Sequence, residues 1–273
     1  SNMLCLQNKH ERDDDIKFQE NGHVYYVKKQ RGYKSITTVV HNAFEKFNAD
    51  AIIDKMMASS NWEKSKYYGM TKPEIKQQWK ENGNEAAKLG TTMHYLFEYH
   101  YNDMYNSELS NHPKFFQDFM NNNDYEDTIE YKYFKNFVDD HPELVPYRTE
   151  WSIYDETNKI AGSVDMTFLN DDGSLSIYDW KRCKKIERFS DFNKSCIAQG
   201  AGHIPDTNYW HYTLQLNLYK MILETKYGFV IRDIQLVVIH PDNEIDNYEK
   251  IELPFVQMKD LTKIINFSRS KLF

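Results

Sequence analysis

Hydrophobic and polar positions along the chain alternate between a period of about 3.6 and a period of two, and each change of period marks an element. Residues 3–20 are polar, with an acidic run at Asp13-Asp14-Asp15, and read as a flexible terminus; Ser1-Asn2 ahead of Met3 reads as a tag-cleavage scar. The β-rich runs His23–Val27 and Ser35–Val40 flank Gly32 and predict a small hairpin. Residues 43–88 are helical in pattern: Asp50 is placed to cap a helix through Met57, and Thr71-Lys72-Pro73-Glu74 joins an N-cap to an early proline ahead of Ile75 to Trp79. The aromatics Trp62, Tyr67, Tyr68 and Trp79 in this region suit either a core or stacking on bases. From Glu85 to about Met104, Ala86, Leu89, Met93, Leu96, Phe97 and Tyr101 share a helical face. Gly90 sits inside it at a cost of about 1 kcal/mol, which predicts close packing there.

Two further helices are predicted over Phe115–Met120 and Thr128–Val138. Arg148 to Tyr154 then reads as a strand with Trp151 and Ile153 on one face and Glu150 on the other. With the two strands around the Asn170–Gly173 turn it makes a three-stranded meander. A long loop follows to about Thr207, then a helix over Tyr209–Lys226 capped by Asn208. Ile231–Ile239 predicts a strand covered on both faces, Lys250–Phe255 an edge strand, and Val256–Leu272 a closing helix. This order predicts an α/β (α+β) fold: a mixed central sheet flanked by helices, with an N-terminal helical region. The domain expected is a single one over 21–273, with a helical insertion at about 44–80 that can wall or arch over a site.

The meander carries the candidate chemistry. Leu175, Ile177, Asp179 and Lys181 alternate onto one face, so an apolar row ends in a carboxylate and an ammonium. On the preceding strand Asp165 follows the small residues Gly162 and Ser163, with Val164 and Met166 pointing the other way and Glu150 alongside. Two neighbouring carboxylates repel unless a cation lies between them, and a hard divalent ion with oxygen ligands answers that need. Lys181 then stands where it can orient a water on that ion or meet charge building on a phosphate. A hairpin with a surface salt bridge is the plainer reading of the same residues. Elsewhere His94 and Glu98 are four apart on one helix, and His211, Gln215 and Tyr219 form a polar stripe on another.

With 273 residues, 40% hydrophobic, the chain is long enough for one large domain. No apolar run of about 18 residues and no secretory pattern are visible, so a soluble intracellular protein without a membrane partner is expected. A net charge of −7 argues against non-specific coating of nucleic acid. Two basic clusters stand out locally: Lys28, Lys29, Arg31 and Lys34, and then Lys181, Arg182, Lys184, Lys185 and Arg188. Cys5, Cys183 and Cys196 are too few and too scattered for a disulfide framework or a four-cysteine cluster.

Taken together, GTTMHYLFE at 90–98, Glu150, AGSVD at 161–165, YDWK at 178–181 and QLNLY at 215–219 resemble, in order, the motifs of the PD-(D/E)xK nuclease superfamily in its RecB-like branch. SITTVV and the helical region after it look like the stand-alone members of the mitochondrial genome maintenance exonuclease type and their relatives in large DNA viruses. The resemblance covers about residues 23–240 and implies a restriction-endonuclease-like core. It implies His94, Asp165, Asp179 and the Trp180 carbonyl as ligands of Mg²⁺ or Mn²⁺, and Lys181 as the catalytic lysine. Gln215 and Tyr219 would position the substrate or Lys181, with Glu98 and Glu150 in support and Arg182, Lys184, Lys185 and His211 toward the substrate. No iron–sulfur cluster is expected, because the four cysteines of the cluster-bearing members are lacking. The implied activity is a deoxyribonuclease, an exonuclease on single-stranded DNA or DNA ends serving replication, repair or recombination. Rivals are an RNA endonuclease of the cap-snatching kind and an inactive nucleic-acid-binding module. Oligomeric state is not legible.

Overall fold

The computed structural model describes residues 3–103, 109–190 and 192–271, so the expected helix ends at Met104 and Leu272 lie outside the described residues. The chain divides into two compact units, Lys46–Thr92 and the remainder. The described elements are helices α1 (Leu4–Gln7), α2 (Ile36–Asn42), α3 (Ala49–Ala58), α4 (Lys72–Asn102), α5 (Lys114–Asn122), α6 (Ile129–Asp140), α7 (Asn208–Lys226) and α8 (Met258–Arg269), and strands β1 (Ile16–Gln19), β2 (Val24–Val27), β3 (Lys34–Ser35), β4 (Pro146–Asp155), β5 (Ile160–Leu169), β6 (Leu175–Lys181), β7 (Ile231–Val238) and β8 (Glu249–Glu252).

In the smaller unit α3 is capped by Asn48, whose side chain accepts from the Ala51 N–H, and not by Asp50 as expected. Asp50 instead pairs with Lys76 at 3.1 Å. Thr71 and Glu74 form a reciprocal capping box, 3.1 and 3.3 Å, at the start of α4. From there α4 runs unbroken to Asn102, where the pattern predicted separate helices. The aromatics of this unit pack on one another: Trp79 Nε1 donates to Tyr67 Oη at 2.9 Å, and Trp62 meets Tyr68 edge-on at 5.9 Å. A Cβ added at Gly90 would meet no described atom within 4 Å, so close packing does not explain that glycine.

The larger unit is built on a mixed sheet in the order β3-β5-β6-β7-β8, with β4 paired to β5. β4, β5 and β6 form the expected antiparallel meander, while β3 pairs with β5, and β6 with β7, in parallel. β8 is an edge strand antiparallel to β7. One core joins α2, α7 and α8 to Val164, Leu175 and Ile177; a second joins Met93, Leu96 and Phe97 of α4, Phe116 of α5 and α6 to Met166, Phe168, Tyr178 and Trp180; a third, smaller one joins Ile16, Tyr25 and Val27 to Tyr154 and Ala161. Together these make a mixed α/β fold with helices on both faces of its central sheet. No helix among the described residues is long and apolar enough to cross a membrane.

Further expectations need correction. The run ITTVV is helix α2 and not a strand: Ser35 caps it by accepting from the Thr38 N–H, and Ile36, Val39, Val40, Ala43 and Phe44 are buried at the spacing of a helix. Packing of that stripe overrides the β preference of its branched residues. β2 therefore pairs with β1, from the segment read as a flexible terminus. That terminus is tied down: the Leu4 N–H donates to Asn102 Oδ1, and Asp13 accepts from Arg148 and from the indole of Trp151 at 2.7 and 3.0 Å. Burial raises the Asp13 carboxyl, but these bonds and one from the His10 N–H win and hold it below the usual range. Lastly, α7 is capped by Thr207, which accepts from the Trp210 N–H, and not by Asn208.

Val164 and Met166 also do not share a face as alternation predicts; they enter different cores. The change occurs at Asp165, opposite Glu150, whose φ of +42° lies in the left-handed region that non-glycine residues seldom occupy.

Candidate active site

The ends of β5 and β6 bring Asp165, Asp179 and Lys181 together, and α4 and α7 supply the rest. His94 Nε2 lies 3.0 Å from Asp165 Oδ2, which also accepts from the Trp180 N–H at 2.9 Å. The Trp180 ring points away, edge-on to Phe97 at 5.4 Å. Lys181 Nζ is 3.0 Å from Asp179 Oδ2 and donates to Gln215 Oε1 at 3.0 Å; Gln215 Nε2 in turn donates to Tyr219 Oη at 2.8 Å. Lysine only donates, so the amide must turn its oxygen to Lys181 and its nitrogen to Tyr219. The Tyr219 ring fits because residue 162 is glycine: a Cβ there would come within 2.7 Å of Tyr219 Cε1.

The other expected residues fall into two groups. Glu150 and Glu98 stand with the cluster, close enough that Asp165 and Glu98 both act on the Glu150 carboxyl. Arg182 turns away into an ion pair with Glu130 of α6, 3.3 Å, and Lys184 and Lys185 are exposed, Lys185 lying 3.4 Å from Glu187. His211 is held by Asp206, 2.7 Å, and packs on Phe44 with ring centres 4.1 Å apart. Sequence reasoning missed four neighbours of the site: Tyr25, whose hydroxyl bonds Ser163 Oγ at 3.0 Å; Tyr212, whose ring lies 4.6 Å from Lys181 Nζ; Asp206; and His41. His41 was hidden by reading its helix as a strand. Tyr212 follows His211 directly and carried no signal of its own.

No family model matches the chain, and no curated protein matches it. Solved structures are similar in part. One is "SSO0001", 15% identical over 50% of this chain and 52% of that one, with a TM-score of 0.29. Another is a "Putative exonuclease" from Eubacterium rectale, 9% identical over 63% of each chain, with a TM-score of 0.34. The chain thus spans about half of the first and under two thirds of the second, and likeness this low carries no argument about chemistry.

The electrostatics of the cluster are uneven. Burial, then the charge of Asp165, pushes the Asp179 carboxyl up to about 7. Burial with Asp165 and Glu98 lifts Glu150 well above the carboxylate range. Asp165 itself is held low, because His94, Lys181 and the Trp180 N–H outweigh its burial. Lys181 is kept protonated by Asp179 and Asp165 against its own burial. Asp165 is therefore favoured in its charged form while Asp179 and Glu150 are pushed toward the protonated one, the arrangement of acids crowded without enough positive charge. Among the described residues no three His, Cys, Asp or Glu side chains are already gathered as a metal site. The donors nevertheless suit one: Asp179 is 1% exposed, its Oδ2 has no well-directed hydrogen bond, and carboxylate oxygens with an imidazole are acceptable to Mg²⁺ or Mn²⁺.

Proposed function

We propose that the protein is a metal-dependent phosphodiester hydrolase, a deoxyribonuclease of the PD-(D/E)xK kind that its motifs resemble. The observation that supports this most is the row Asp179, Lys181, Gln215, Tyr219 beside Asp165 and His94. It is an ammonium held at fixed position next to two crowded carboxylates. In this reading His94, Asp165, Asp179 and the Trp180 carbonyl hold the divalent cation. Such an ion, when bound, polarises a phosphoryl oxygen and lowers the pKa of a water.

The protein's own part is positioning. Gln215 and Asp179 fix the Lys181 ammonium between them, so that its charge meets the negative charge developing on a phosphate without first having to reorganise. Tyr219, buried and with its hydroxyl pushed well above its ordinary pKa by that burial, stays a neutral support for Gln215. Glu150 and Glu98 add two further carboxyl groups to the crowding around Asp165, which a cation at the ligands would relieve.

The test is cleavage of linear and circular DNA, single- and double-stranded, and of matched RNA, with Mg²⁺, Mn²⁺ or excess chelator. Cutting of DNA that stops in chelator and favours single strands with free ends is expected. Undiminished cutting in chelator would remove the metal from the mechanism, and preference for RNA would favour the cap-snatching type of endonuclease.

A further inference from the structure

Beside the Lys181 row lies a second cluster. His41 ends α2, and three residues on, Phe44 packs against His211. His211 stands one helical turn before Gln215 on the same face of α7, about 5–6 Å along the axis. His211 Nε2 donates to Asp206 Oδ1 at 2.7 Å, which fixes the ring, and a ring so held offers a second N–H, from Nδ1, to an anion in its imidazolium form. His41 is exposed, and the side chains of His211 and Lys181 are 29% and 20% exposed, so all three are within reach of a bound molecule.

These groups repel one another as they stand. Burial first, and then His211 and Lys181, hold the His41 imidazole below its ordinary pKa. An anion between them would turn that repulsion into attraction, and one turn of helix compares with the distance between successive phosphates of a nucleic-acid strand. We infer that His41 and His211 form a second phosphate-binding subsite, which takes the backbone phosphate next to the one that Lys181 faces. The inference rests on the hydrolase reading and adds to it a contact that would set the register of the strand. Phe44 and Asp206 are positioning residues for His211.

The experiment uses oligonucleotides in which one phosphate at a time is replaced by a neutral methylphosphonate, with affinity measured in Ca²⁺ and single-turnover cleavage in Mg²⁺. His41→Ala and His211→Ala should each weaken binding of the unmodified strand about tenfold, the size expected of one charge-assisted bond. Neutralising the linkage adjacent to the cut should cost the wild type a similar factor and cost His41→Ala almost nothing more. His41→Lys should restore both the affinity and its sensitivity to that linkage. If the neutral linkage costs His41→Ala as much as the wild type at every position, or His41→Lys restores nothing, the subsite is wrong. Binding that depends on His41 without any cleavage would keep the subsite and overturn the hydrolase reading. A protein that binds no strand would overturn both.

Discussion

The two faces of β6 are opposite in character. On one, Tyr178 and Trp180 sink into aromatic packing where Phe97 and Phe134 stack at 3.9 Å and Trp180 stands edge-on to Phe97, Phe134 and Phe137. On the other, Leu175 and Ile177 give way to Asp179 and Lys181, whose polar atoms are paired, crowded or left without a donor. The first face holds the strand in place, and the second uses that rigidity to keep unfavourable groups together. Burial of like charges costs free energy and contributes nothing to the fold. Changes on the first face should therefore unfold the protein, whereas changes on the second should silence it and leave it folded.

Phe134→Ala is the sharpest way to break the comparison, because removing a fully buried ring from a stack should cost about 3–5 kcal/mol. A urea midpoint that hardly moves would show that the aromatic face is not what holds β6. Next in size is Lys181→Ala, expected to slow single-turnover cleavage about 10²–10³-fold while DNA affinity in Ca²⁺ stays near wild type. Weaker affinity with a normal rate for bound DNA would place Lys181 among binding groups. Gly162→Ala tests the join between scaffold and chemistry: its Cβ would press on Tyr219 and Ile36, costing about 1–3 kcal/mol, and Tyr219→Ala should recover part of that loss in the double variant. The smallest effect on stability is expected for Asp179→Asn. Because it relieves crowding with Asp165, its melting temperature should equal or exceed the wild-type value although cleavage is lost. A clear drop in melting temperature would mean that the Asp179 and Lys181 pair stabilises the fold.

Much of this arrangement was legible in the order of residues. The meander and the shared face of Asp179 and Lys181 follow from a period of two, and His94 with Glu98, like Gln215 with Tyr219, follows from a period of four on a helix. The misses have particular causes. ITTVV carries β-branched residues in a helical spacing, and their β preference conceals both α2 and His41. The polar N-terminus looks loose in sequence because its anchors, Asn102, Arg148 and Trp151, lie about a hundred residues away or more. The face change at Asp165 depends on a left-handed Glu150, a backbone state that no side-chain pattern announces. Arg182 belongs to a basic run, yet alternation sends it to the face opposite Lys181, where Glu130 meets it.

The Gln215 amide has one more consequence, which concerns direction. Lysine has no acceptor, so the hydrogen bonds from Lys181 through Gln215 to Tyr219 can point only one way, and the oxygen of Tyr219 is engaged as an acceptor. Its own proton is thereby turned away from the Gln215 nitrogen. The row behaves as a one-way chain in which each group reads the polarity of the group before it. Gln215→Glu, although equal in size, would accept from both ends, reverse the Tyr219 hydroxyl, and add one more acid to the cluster around Asp179 and Asp165. An amide is the side chain of that length that can pass the direction on without adding charge.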